Sequence, residues 1–309
     1  MAASVNKHYT SPFPPLQLTP ASAFELETLA QKFVARSIGT YERFLIDDHG
    51  KADETRWKLL SAKDGLRAYA EQPRGNDANV SYEEETPITD LPVVMITGTM
   101  VGNLDDIMYG VICNTTELMR IKTSYIHDDL VGSCVLASLA TPTPENPFNA
   151  TDIKWVEVKV PLATRPIIKN RDFVYLETTG IERLRNGERV GYHYVHSVQF
   201  PETPVRDSTV RGNSSIGVIF RQRDRDVTDV FIKAYFNPAG GLVRAITLRS
   251  AARLLLSVAN NAYCSNMKKL VWAIRQKYAA DTSSSSSDGG VSAVATSDEK
   301  SCSGCGSTN

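Results

Sequence analysis

The sequence predicts an α+β domain in which one long antiparallel sheet carries helices at its flanks. Two observations lead there. Helical periodicity occupies both ends of the chain, over 19–48 and 242–278, and the segments between them alternate with period two, separated by Gly, Asn and Pro turn signals. At 309 residues, with 42% hydrophobic and 22% charged residues, the chain is long enough for one large core, so a single domain with tails is expected.

Taken in order, residues 1–18 are aperiodic and carry Pro12, Pro14 and Pro15, which reads as an extended, disordered tail. A helix is expected over 19–48, with Thr19 as its cap, Pro20 in its first turn, and Phe24, Leu29, Phe33, Ile38 and Phe44 spaced among charges. Trp57 to Leu60 and Leu66 to Ala70 form a hairpin hinged at Lys63-Asp64-Gly65. A third strand follows over Val93–Met100, then a short helix from Asp106 that Asn103 or Asp105 can cap, and a second over Thr116–Ser124. Strands are expected near 132–140, 153–160, 172–179, 189–200, 214–222 and 229–236. The last element is a long helix in which Leu248, Ala252, Leu255, Ala259 and Ala262 share a face. Asp281-Thr282 and five serines open a disordered tail over 281–309.

Composition excludes several functions. A formal net charge of -1 supplies no field for nucleic acid, and no basic and aromatic interleaving compensates. The start lacks a secretory or transit pattern, and the longest apolar run near the C-terminal helix, Leu254–Ala259, is far short of the roughly 20 residues that span a bilayer. The protein is therefore expected in the cytoplasm, peripheral at membranes, as a monomer. The N-x-S/T triplets at Asn114, Asn149 and Asn213 are then chance. Cys113, Cys134 and Cys264 sit in apolar elements as reduced thiols, and no cofactor is implied.

Four segments carry a family resemblance: the Trp57 strand followed by Gly65-Leu66-Arg67-Ala68-Tyr69; Gly98-Thr99-Met100-Val101-Gly102 leading into Leu104-Asp105-Asp106-Ile107-Met108; Asn170-Arg171-Asp172-Phe173-Val174; and Asn237-Pro238-Ala239-Gly240-Gly241-Leu242. In this order and spacing, over residues 50–280, the chain resembles the START family of lipid-transfer domains. The resemblance implies a helix-grip fold, a curved antiparallel sheet wrapped around the long C-terminal helix and enclosing a cavity. It also implies lipid binding and transfer, with a lipid ligand and a transient membrane surface as partners and no bond chemistry. The layout is similar as well to START-like proteins that precede a FYVE zinc finger, since Cys302-Ser303-Gly304-Cys305 looks like a first knuckle. A closed zinc site needs four ligands, so Cys302 and Cys305 amount to half a site in a tail.

Alternation places Phe173, Tyr175 and Glu177 on one face of their strand, Tyr192, Tyr194 and His196 on one face of the next, and Val230, Ile232, Ala234 and Phe236 on one face of the last. With Leu248 and Leu255 these are the expected cavity residues, although a plain core would use the same types. Glu177 is the polar exception, where sterol-binding relatives tend to carry a buried basic residue. A carboxylate in an apolar cavity favours a hydroxyl, amide or amine head group. Arg171 and Asp172 point to opposite faces and fit structural ion pairs, while His193 and His196 fail as metal ligands by the same parity. In the loop 161–170, Ile167 and Ile168 beside Arg165 and Lys169 suit a lid that docks on an anionic membrane, or a static cover on the last helix. Three functions follow: lipid transfer gated by that loop and the C-terminal helix, a sensing or interaction module on the same fold, and an enzyme that would have to rely on Glu177 with His196.

Overall fold

The computed structural model describes residues 11–72, 81–82, 90–126, 130–159 and 168–285, leaving aside the side chains of 81–82 and 280–285. In chain order the elements are α1 (Pro20–Ile46), β1 (Trp57–Lys63), β2 (Leu66–Glu71), β3 (Ser81–Tyr82), β4 (Val93–Val101), α2 (Leu104–Val111), α3 (Thr116–Ile126), β5 (Leu130–Ala140), β6 (Ala150–Val158) and β7 (Asn170–Arg183). Then come β8 (Arg189–Ser197), β9 (Thr209–Arg211), β10 (Asn213–Asp224), β11 (Val227–Asn237), β12 (Leu242–Val243), α4 (Arg244–Leu256), a 3-10 turn (Ser257–Asn260) and α5 (Asn261–Ser285).

One antiparallel sheet runs β1-β2-β4-β11-β10-β8-β7-β6-β5, and β9 adds a short parallel pairing to β7. With the C-terminal helix across one face, this is the α+β helix-grip architecture. The local chemistry of its starting elements is visible: Thr19 Oγ1 accepts from Ser22 N at 3.1 Å to cap α1. Asp64 and Gly65 take positive φ values of 50° and 85°, the left-handed pair that a tight hairpin between β1 and β2 requires.

The two sheet faces carry separate cores. On the inner face Leu66, Ile96, Phe220 and Ile232 pack under Leu248, Ala252 and Leu255 of α4. On the outer face α1 sets Tyr41 and Phe44 against Phe231. Beyond the start of α1 the cover is supplied by residues 11–18, the segment expected to be disordered. Phe13 and Leu16 are buried there, Phe13 meets Trp155 edge-on at 6.1 Å, and Leu16 N donates to Leu136 O at 2.9 Å. Pro12, Pro14 and Pro15 lack amide donors and so keep this stretch out of the ladder, yet its apolar side chains still pack.

The C-terminal helix also differs from the expected single rod. It is broken by the turn at Ser257, whose Oγ donates back to Leu254 O at 2.6 Å, a bond that competes with helix continuation. Past the break it continues to Ser285, inside the tail expected from 281 onward. The remainder of that tail, with Cys302 and Cys305, lies outside the described residues.

Candidate ligand cavity

A cavity of about 210 Å3 lies between the inner face of the sheet, α3 and the junction of α4 with α5. Its wall is mostly apolar: Met119 and Ile126 from α3, Val156, Phe173, Ile232 and Phe236 from strands, and Leu255 and Val258 from the broken helix. One end is charged. Asp152 is the cross-strand partner of Glu177, and Lys154, two residues on, reaches Glu177 diagonally, an approach long side chains make between adjacent strands. Lys154 Nζ bonds Glu177 Oε2 and lies 3.4 Å from Asp152 Oδ2, which puts one ammonium between two carboxylates. From β8, His193 Nε2 meets Glu177 Oε1 at 2.6 Å, and Ser138 Oγ donates to Asp152 Oδ1 at 2.7 Å.

Burial dominates the electrostatics of this cluster. It pushes the Lys154 ammonium down to about 8 despite the opposing pull of Asp152, so Lys154 remains charged at neutral pH. The Asp152 carboxyl is pushed up by burial and held back by Lys154 and Ser138. Burial, aided by the positive charges of Lys122 and Lys154, drives the His193 imidazole well below its usual value, so in the folded chain it is neutral. The unfolded chain protonates this histidine near pH 6.5. Its contribution to stability is therefore fully present above that pH and is lost as pH falls toward the folded value, at up to about 1.4 kcal/mol per unit. Denaturant melts at pH 7 and pH 5.5 are expected to show a steeper acid loss in the native sequence than in His193→Gln, and identical slopes would sink this assignment.

No family model and no curated protein matches the chain. Solved structures similar to it include human STARD10, at 15% identity over 76% of this chain and 82% of that one, with a TM-score of 0.48. Human StAR-related lipid transfer protein 5 is 13% identical over 75% of this chain and 98% of that one, also at 0.48. A STAR-related lipid transfer protein of Xanthomonas axonopodis is 17% identical over 69% and 99%, at 0.46.

Of the residues singled out from sequence, Phe173, Tyr175, Glu177, Ile232, Phe236 and Leu255 line the cavity. Val230 and Leu248 belong to the adjoining core rather than to the lining. Tyr192, Tyr194 and His196 require a correction: they face outward, toward α1. Glu177 pairs with Val195 and Thr179 with His193, so it is the odd residues of β8 that share the inner face. Phe33 of α1 stacks on Tyr194 at 5.0 Å and lies tilted against His196 at 4.2 Å. An enzyme built on Glu177 with His196 therefore has its two groups on opposite faces of the sheet.

Arg165 and Ile167 of the loop lie outside the described residues, whereas Ile168 is half-buried and the exposed Lys169 donates to Asp207 O at 2.9 Å. Next to them Arg171 and Asp172 part to opposite faces. The Arg171 guanidinium donates to the carbonyls of Pro238 (3.2 Å), Ala239 (3.1 Å) and Lys169 (2.6 Å), pinning the loop that leads into α4. Asp172 accepts Arg211 through Nε at 3.2 Å and Nη2 at 3.0 Å, and Trp155 Nε1 at 3.0 Å.

Sequence reasoning missed Asp152, Lys154 and Asn261. A lysine between Ile153 and Trp155 reads as the solvent side of a half-buried strand, and its signal appears only once β6 and β7 are in register. Asn261, at the start of α5, lines the cavity with its Oδ1 buried and unpartnered. No group of His, Cys, Asp and Glu suited to a metal ion occurs among the described residues.

Proposed function

We propose that this chain binds one amphipathic lipid, with the polar end at the Lys154, Glu177 and Asn261 side and the hydrocarbon under the C-terminal helix, and that it exchanges that lipid with membranes. The observation that carries this reading is a mostly apolar cavity whose lining includes a buried ion cluster and an unpartnered carboxamide oxygen. Buried charge is costly in an apolar cavity without further partners, and a hydroxyl, amide or amine head group would supply a donor to Asn261 Oδ1 and to Glu177. Tail binding would draw on about 25 cal/mol per Å2 of apolar area covered.

At about 210 Å3 the cavity is smaller than the roughly 300–1,000 Å3 of small-molecule sites, so a whole lipid needs the roof to move. In this reading the gate is the broken C-terminal helix together with the 161–170 loop, and the protein acts as a cytosolic monomer that meets membranes transiently. Native mass spectrometry of the protein taken from cells, together with transfer of fluorescent lipids between vesicles, tests it. A bound lipid that exchanges is the expected result; a lipid retained without exchange assigns sensing, and no lipid under any vesicle composition sinks the proposal. In Glu177→Gln, Lys154 keeps Asp152, so stability should hold while transfer falls about tenfold or more, the effect of losing a charged hydrogen-bond partner. Transfer at the native rate in this variant would remove Glu177 from the site.

A further inference from the structure

The outer face holds a second and larger hollow, about 630 Å3, between α1 and strands β8, β10 and β11. On its floor Tyr194, Gly217 and Lys233 are consecutive cross-strand neighbours, and glycine at 217 lets α1 sit close to the sheet: a Cβ there would stand 2.5 Å from Ser37 Oγ. From above, Phe33, Arg36, Ser37 and Thr40 line the hollow, spaced at i, i+3, i+4 and i+7 along one helix face.

The chemistry of this hollow is one-sided. Arg36 and Lys233 line it, no Asp or Glu does, and neither cation has a carboxylate partner among the described residues. On the opposite side of α1 the charges are mixed, with Glu27, Glu42 and Glu182 in the lining beside Arg183 and Arg185. Burial pushes the Tyr194 hydroxyl, which bonds Ser215 Oγ at 2.6 Å, up to about 12, with Ser215 and the positive charge of Arg36 opposing the shift. Nearby, His196 Nδ1 is buried with no partner. Phe33 and Tyr235 add flat apolar surface, and Lys233 Nζ sits 5.8 Å from the Tyr235 ring centre.

We propose that this hollow is a binding site for a small organic phosphate with a flat apolar body, the phosphate between Arg36 and Lys233 and the ring against the aromatic wall. The volume is that of a small-molecule site, two lining cations free of carboxylates favour an anion, and the unpartnered imidazole nitrogen offers a further hydrogen bond. It is independent of the lipid reading, because it lies on the other face of the sheet.

Phenyl phosphate titrated into the full chain, followed by calorimetry and by amide shifts of α1 and β10, is the test. One saturable site is expected. Arg36→Glu and Lys233→Met should each weaken it about tenfold or more, Glu177→Gln in the inner cavity should leave it unchanged, and benzyl alcohol, with the ring but no charge, should not saturate. Arg36 is exposed, so Arg36→Glu keeps the fold even if Lys233→Met does not. Unaltered affinity in Arg36→Glu, an equal response to benzyl alcohol, or loss of binding in Glu177→Gln overturns the proposal. Phosphatidylcholine vesicles carrying phosphatidic acid form the last arm: binding to these without binding of phenyl phosphate overturns the small-molecule site in favour of a lipid head group at a membrane.

Discussion

Replacing Asp172 with alanine is expected to destabilise the fold by about 3–5 kcal/mol, the range for removing one partner of a buried ion pair. Asp172 is fully buried, and three donors converge on it: two from Arg211 and the indole N–H of Trp155. Arg211 is nearly as buried and keeps only the carbonyls of Thr203 and Pro204 as other acceptors. The alanine variant thus leaves an uncompensated guanidinium and an orphan indole donor in the outer core, against which Phe13 is packed. Asp172→Asn retains oxygen for one or two of the three donors and should lose roughly half as much. The double variant Asp172→Leu with Arg211→Met removes both charges and is expected to be more stable than Asp172→Ala, since the penalty resides in the unpaired charge. Denaturant melts followed by tryptophan fluorescence decide the matter: a loss below about 1 kcal/mol in Asp172→Ala would show that water takes over the role of the carboxylate.

Gly110→Ala is expected to cost about 3 kcal/mol, at the upper end of overpacking. A Cβ at this position would stand 1.9 Å from Asn261 O and 2.8 Å from Asn261 C, which are backbone atoms and cannot rotate away. The same junction is locked by Lys268, buried in α5, whose ammonium donates to the carbonyls of Tyr109 at 2.8 Å, Gly110 at 3.1 Å and Ile112. These are carbonyls at the C-terminal end of α2, where a cation also offsets the helix dipole. Forcing α2 and α5 apart shifts Asn261, so the proposed lipid exchange should change along with stability. Amide exchange is the specific measurement: the first turns of α5 should lose protection well before β7 does. Equal loss in both elements would mean that Gly110 has only a global effect.

Much of the fold is legible in the sequence because its signals are local. Thr19-Pro20 opens α1 within a single turn, Asp64-Gly65 encodes a hairpin in two residues, and each strand alternates over its own length. The site was legible strand by strand but not between strands. Phe173, Tyr175 and Glu177 share a face through parity within β7, whereas the choice between Tyr192, Tyr194, His196 and His193, Val195 depends on how β8 is phased against β7. That phase is set by the β7–β8 turn, whose Gly187 adopts φ 86°, and by α1 lying over the tyrosines. Lys154 was hidden for the same reason. Residues 11–18 depart from the expected tail because proline removes periodicity without removing the tendency of Phe13 and Leu16 to leave water.

The break in the C-terminal helix bears on residence time. α4 rests on β1, β2 and β4, while α5 is moored to α2 and α3, and the short turn at 257–260 joins them over the cavity, which Leu254, Leu255 and Asn261 also line. A roof fastened at both ends and interrupted at its middle yields first at the interruption. Such a local opening requires far less free energy than global unfolding. For a ligand gated as proposed, the off-rate would then be governed by the turn, so that substitutions in the sheet would change the melting temperature while leaving the ligand's dwell time as it was.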